Sequence, residues 1–221
     1  MSEKNEEIKK EKYEKLRREY TGNGLLEKDI FADPIKQFEK WFEEALSIEV
    51  IDVNAGALCT VREDNSPDTR IVLLKSFDKE GFVFYTNYLS RKAQELKNNN
   101  KASYLFYWSP LSRQVRIDGI VKKISKEEAE KYFKTRPEAS KIGAWASKQS
   151  HEIKDRKFLE DEFAKYKKEF AEKEITMPEY WGGYILIPSV IEFWQGRESR
   201  LHDRIEYRSE NNIWKTVRLS P

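Results

Sequence analysis

Only one cysteine occurs in the 221 residues, Cys59, and it sits in the apolar run Gly56-Ala57-Leu58-Cys59-Thr60-Val61. A lone thiol in such a run reads as a small buried hydrophobe, which excludes a disulfide framework or a multi-cysteine metal site within one chain. Charge of one sign is missing as well: 41 Lys and Arg stand against 39 Asp and Glu, a net of +2. Proteins that hold nucleic acid by bulk electrostatics carry a marked basic excess or stripe, so that class is disfavoured. No stretch reaches the roughly 18 apolar residues that a membrane helix requires. The N-terminus has no apolar core and too many acids for an organelle transit peptide. A cytoplasmic protein with no nucleic-acid or membrane partner is the expectation.

What is present begins with aromatics: six Trp, eleven Tyr and twelve Phe, a generous supply for cores, interfaces or planar ligands. Residues 1–20 are dominated by Glu and Lys and read as a mobile charged N-terminal arm; 21–221 read as a single domain. Asp33-Pro34 is an N-cap with proline in the first helical turn, and Ile35, Phe38, Trp41, Phe42, Ala45 and Leu46 follow at helical spacing. Short β-rich runs come next at Ala57 to Val61, Arg70 to Lys75, Phe82 to Thr86, Ser103 to Trp108 and Gln114 to Ile124. Helices are expected from Ser90 to about Lys97, from Ser125 to near Pro137, and from Asp155 to Glu172. Two further strands, Tyr184 to Ile187 and Val190 to Trp194, precede a terminal pair on either side of Asn211-Asn212. The pattern predicts a mainly β, α+β fold: a small antiparallel barrel decorated by helices.

Four clusters carry chemistry. In Arg200-Leu201-His202-Asp203-Arg204 an extended backbone sends Arg200, His202 and Arg204 to one side, where crowded cations invite an anion; a solvated basic strand edge is the plain alternative. Arg91 and Lys92 follow the N-cap Ser90, against the helix dipole, a penalty that a bound phosphate reverses. Tyr85-Thr86-Asn87 offers an aromatic face and hydroxyl groups at the same corner. Arg70 and Lys75 cap an apolar strand, but strict alternation puts them on opposite faces unless the strand bends or bulges. Tyr132, Arg136 and Ser140 are spaced by four and four again and make a second candidate phosphate site, if the chain reverses at Pro137.

Nine ordered motifs, from Arg70-Ile71-Val72-Leu73-Leu74-Lys75 and Phe84-Tyr85-Thr86-Asn87 through Ser90-Arg91-Lys92, Arg113-Gln114-Val115, Tyr132-Phe133 with Arg136-Pro137, Ile142-Gly143-Ala144-Trp145 and Ser147-Lys148-Gln149-Ser150 to Phe193-Trp194-Gln195-Gly196 and the Arg200 run, together resemble the pyridoxine (pyridoxamine) 5′-phosphate oxidase family. The likeness spans nearly everything from Arg17 to Arg218-Leu219-Ser220-Pro221, with Ser220 standing where the family ending usually has alanine. It implies an FMN-binding split-barrel homodimer with two equivalent flavins at the subunit interface. FMN contacts are then expected at Arg70, Ile71, Val72, Leu73, Leu74, Lys75, Tyr85, Thr86, Arg91, Lys92, Gln114, Gln149, Ser150, Trp194 and Arg204. Substrate contacts are expected at Lys75, Tyr132, Arg136 and Ser140 around a phosphate, and at Arg200, Leu201 and His202, with Arg17, Arg18, Glu19 and Tyr20 closing over them. Arg200 and His202 are the expected catalytic pair. The implied reaction oxidises pyridoxine 5′-phosphate or pyridoxamine 5′-phosphate to pyridoxal 5′-phosphate, with O2 as acceptor and H2O2 as product, and needs no metal. The rivals are another split-barrel flavin oxidoreductase and, in a different class, a nucleic-acid-binding barrel.

Overall fold

The computed structural model describes residues 10–16, 18–20, 22, 24–211 and 213–221. The expectation for Arg17 lies outside them.

Eight antiparallel strands form one sheet: β1 (Ala55–Val61), β2 (Pro67–Asp78), β3 (Gly81–Asn87), β4 (Lys101–Trp108), β5 (Arg113–Lys123), β6 (Trp181–Gln195), β7 (Asp203–Glu210) and β8 (Ile213–Leu219). Their order is β3-β2-β1-β4-β5-β6-β7-β8, and β3 also pairs with β6. That extra pairing closes the first six strands of this order into a barrel. The first half of β6, Trp181 to Leu186, lies against β3, while its second half, Val190 to Gln195, carries β7. One strand therefore both closes the barrel and splits the sheet away from it, and the chain has the α+β split-barrel fold that its sequence predicts.

Two expected strands, Tyr184 to Ile187 and Val190 to Trp194, are thus one strand of 15 residues. The break suggested by Pro188-Ser189 is a register shift, not a loop: opposite it, pairing slips between Asp118 and Gly119. A proline with no N–H is tolerated at such an irregularity, and Gly119 has no side chain because a Cβ there would run into the Ile187 carbonyl.

Helix α1 (Pro34–Ser47) starts as its sequence dictates, the Asp33 carboxylate accepting from the Ile35 N–H at 2.9 Å. Its Phe38, fully buried, meets Phe77, Phe82 and Phe106 edge-on at centroid distances of 4.9 to 5.4 Å. Inward alternation on β4 adds Tyr104, Phe106 and Trp108 to the same core. Burial of each such ring stabilises the fold by about 1.5–3 kcal/mol. Around this core sit α2 (Arg91–Asn98), α3 (Lys126–Thr135), α4 (Glu138–Ala146) and α5 (Arg156–Glu169). Pro137 ends the expected Ser125 helix by forcing Arg136 into an extended conformation (φ −70°, ψ 148°), and α4 then begins a separate helix. Among the described residues no helix is long and apolar enough to cross a membrane.

Candidate active site

A cleft of about 1000 Å3 opens between β2, β3, the start of α2, and the α3–α4 corner. Five basic side chains, Arg70, Lys75, Arg91, Lys92 and Arg136, line it against one acid, Asp68. Lys75 keeps the exposed alternation of Ile71 and Leu73, opposite Arg70 and Val72, and the cleft takes in residues from both faces of β2, whose register shifts between Leu74 and Ser76. Ile71, Val72 and Leu73 line the cleft too, whereas Leu74 points into the core.

At the start of α2 the buried Ser90 hydroxyl does not cap its own helix; it accepts, at 3.4 Å, from the Lys92 ammonium. Lys92 also donates to the Thr86 hydroxyl at 3.0 Å, and Thr86 in turn donates to Gln149 Oε1 at 3.2 Å. Desolvation, reinforced by Arg70, pushes the Lys92 pKa down to about 8. A buried ammonium held only by hydroxyls is the donor set that an anion completes. Arg70 is different: Asp68 at 2.8 Å, Glu95 at 3.0 Å and the Thr60 hydroxyl clamp its guanidinium. Glu95 sits one helical turn beyond Arg91, so α2 supplies both the cationic end of the cleft and the buried carboxylate that orients Arg70. Sequence reading missed Glu95 and Asp68; Glu95 pairs with Arg70, 25 positions away in the chain, and not with Arg91 at helical spacing.

Tyr132, Arg136 and Ser140 line the same cleft, as do Ser150 and Gln149, the latter held against Thr86 and Asn87. Tyr85 stacks on Tyr132 with ring centroids 3.9 Å apart. Burial pushes the Tyr85 hydroxyl up to about 12, so it stays protonated at neutral pH. Gly183 permits this packing, since a Cβ there would press on the Tyr85 ring at 2.9 Å.

The remaining expected site residues do not line this cleft. Gln114, Trp194 and Arg204 are direct cross-strand neighbours on β5, β6 and β7. His202 packs against Trp194 at 4.6 Å and Tyr20 at 5.3 Å, while the Arg200 guanidinium lies 5.5 Å from the Tyr20 centroid. Arg18 donates to the Ser109 carbonyl and the Ser112 hydroxyl; Glu19 is exposed, as is Leu201. The expectation of an extended Arg200–Arg204 run is corrected: Glu198–Arg200 is a 3-10 turn with Ser199 and Arg200 at φ 56° and 63°, and β7 starts only at Asp203. Alternation therefore does not govern Arg200. His202 Nδ1 accepts from the Arg197 N–H at 3.1 Å, which leaves the proton of the neutral ring on Nε2. Burial, and then Arg200, lower its pKa below the ordinary 6.5. Arg204 donates from Nε to the buried Glu192 at 2.8 Å and from a terminal nitrogen to the Ser220 carbonyl at 2.9 Å.

Barrel and cleft define a class: a split-barrel protein with one cavity into which five basic side chains converge. Residues 42–169 match the family model described as pyridoxamine 5′-phosphate oxidase, and residues 181–221 match the pyridoxine 5′-phosphate oxidase C-terminal dimerisation region. The chain belongs to the pyridoxamine 5′-phosphate oxidase family. It is 50% identical over 211 residues to a pyridoxine/pyridoxamine 5′-phosphate oxidase of Leptospira interrogans, covering 95% of this chain and 99% of that one. A protein of the same description from Rubrobacter xylanophilus is 50% identical over 93% of this chain and 95% of its own length. Among solved structures, PhzG from Burkholderia lata in complex with tetrahydrophenazine-1-carboxylic acid superposes with a TM-score of 0.85 at 30% identity, covering 91% of this chain and all of that one. A pyridoxamine 5′-phosphate oxidase-related, FMN-binding protein from Nostoc punctiforme shares the fold, with a TM-score of 0.68 at 16% identity over 87% of this chain and all of that one.

Proposed function

We propose that this chain is an FMN-dependent oxidase that converts pyridoxine 5′-phosphate or pyridoxamine 5′-phosphate to pyridoxal 5′-phosphate, passing two electrons to O2 to give H2O2, and releasing NH3 from the amine. The observation that carries the reading is the convergence of five basic side chains in one cleft. Arg70, Arg91 and Lys92 suit the phosphate of a mononucleotide cofactor; Tyr132, Arg136 and Ser140 suit that of a small substrate. The undercompensated Lys92 and a buried Arg136 nitrogen with no hydrogen-bond partner fit two bound anions. FMN, when bound, supplies the electron acceptor that no side chain provides.

The protein's own groups do the rest. Binding energy at the remote substrate phosphate holds the reacting carbon in place. Gln114, Trp194, Arg200, His202 and Arg204 stand outside the cleft of their own chain, and the reading assigns them to the cleft of a second copy across a homodimer interface. There Arg200 supplies a cation, and His202, neutral with its proton on Nε2, presents a donor to the substituent at the reacting carbon. No covalent intermediate is required.

The test is the visible spectrum of the purified protein, followed by anaerobic titration with pyridoxamine 5′-phosphate. A yellow protein that bleaches stoichiometrically is expected. A colourless protein, or flavin that stays oxidised, ends the reading. Arg200→Leu and His202→Leu are each expected to lower kcat by about tenfold, the loss of a single hydrogen-bonded contact, with FMN still bound. Unchanged kinetics in both variants would remove them from the site.

A further inference from the structure

We propose that Trp181, a residue with no part in the expected site, is a positioning residue that sets the affinity for phosphorylated substrate by holding Arg136 and Tyr132 in place. This rests on the reading of Tyr132, Arg136 and Ser140 as the substrate-phosphate subsite. Trp181 opens β6, is tied to β3 through its pairing with Asn87, and is only 7% exposed while lining the cleft. Its ring centroid lies 4.7 Å from the Arg136 guanidinium carbon, and Phe133 lies beyond at 5.4 Å. Among the described residues no carboxylate pairs with Arg136, one of its terminal nitrogens is buried without any hydrogen bond, and desolvation lowers its pKa. Pro137 fixes the Arg136 backbone, but nothing polar tethers the side chain; aromatic faces alone hold it.

The choice of holder has a chemical consequence. The two carboxylates on Arg70 neutralise as well as orient it. A π face orients a guanidinium and leaves its charge and its N–H groups available to an anion. Trp181 also lies within 9° of parallel to both Tyr85 and Tyr132, so the three rings make one platform beneath the subsite. A side chain without a ring at position 181 releases Arg136 and removes a wall from Tyr132 together.

Steady-state kinetics with pyridoxamine 5′-phosphate test this. Trp181→Leu is expected to raise KM about tenfold, with kcat and the FMN dissociation constant changed less than about twofold, and Trp181→Phe, which keeps a weaker π face, to raise KM about threefold. In an Arg136→Leu background the Trp181→Leu change should add less than about twofold, because its main partner is gone and Tyr132, 6.3 Å from Trp181, keeps its closer stacking on Tyr85 at 3.9 Å. If Arg136→Leu raises KM and Trp181→Leu does not, the inference falls while the subsite stands. If the two changes multiply, or if FMN affinity drops as far as KM rises, Trp181 is a general packing residue and the inference falls. If neither variant moves KM, the subsite reading falls and takes the inference with it. Should Trp181→Leu not fold, Trp181→Phe decides, and a KM equal to wild type overturns the proposal.

Discussion

Lys92→Met is expected to weaken FMN binding about 30-fold and, in the same protein, to raise the melting temperature of the flavin-free form by about 3 °C. The first effect is the loss of a charge-assisted contact to the cofactor phosphate from a desolvated ammonium. The second comes from removing a charge that the flavin-free fold holds at a cost. Lys92 has no carboxylate of its own, only the Thr86 and Ser90 hydroxyls, and burial drops its pKa from 10.5 to about 8. Because the folded value lies below the unfolded one, the unfolded chain binds more protons between those two values. Flavin-free wild type should therefore gain stability as pH rises from about 8 to 10.5, and the Met variant should lack that gain. Methionine preserves most of the lysine stem's volume, so cavity formation does not mask the sign. Flavin titration and thermal melts with and without FMN read both arms. A variant that binds FMN like wild type removes Lys92 from the phosphate site; one that melts lower without flavin shows that the hydroxyl contacts outweigh desolvation.

The strain between binding and stability at Lys92 was legible in the residue order Ser90-Arg91-Lys92, because cations at a helix start violate a local rule. The barrel was legible through alternation on β4 and capping of α1 and α3, which are local properties. What escaped was set by partners distant in sequence. Pro188-Ser189 looks like a turn until Gly119 is known to lie opposite, and the continuity of β6 depends on β5. Arg200 to Arg204 looks extended until positive φ at Ser199 and Arg200 turns the chain, a conformation for which neither residue type is a signal. Trp181 lies before the strand expected from Tyr184 and was not legible as a wall of the cleft, since Arg136 reaches it from 45 positions earlier in the chain. Glu95 and Glu192 escaped for a related reason: a carboxylate that orients an arginine shows its role only with that partner, 25 positions away for Glu95 and 12 for Glu192.

Glu192 carries the second large expectation. Its carboxylate, 3% exposed, bridges Arg116 at 2.7 Å and Arg204 at 2.8 Å, and Arg116 continues the network to Asp118 and Glu206. Burial alone would raise the Glu192 pKa, but the hydrogen bonds from Arg204 and Arg116 outweigh it and hold the pKa below 4.5. Removing a carboxylate that joins two guanidiniums leaves like charges facing each other. The full cost of breaking a buried pair, about 3–5 kcal/mol, applies only where the stranded partner is sealed from water. Arg116 and Arg204 keep 36% and 30% of their side chains exposed, which moderates the loss. Glu192→Ala is therefore expected to destabilise the protein by about 2–3 kcal/mol, a fall of roughly 5–10 °C in Tm. The sign of the pH dependence follows from the lowered pKa. The stabilisation from Glu192 is present above pH 4.5 and is lost as pH falls through its folded value, so acid melts of the Ala variant should decline less steeply there than wild type. Arg204 would keep only its contact to the Ser220 carbonyl, so looser FMN binding should accompany the lower Tm if Arg204 serves the flavin across the dimer. A Glu192→Ala protein as stable as wild type would show that Asp118 and Glu206 already neutralise the pair of arginines, and that the bridge orients Arg204 without supporting the fold.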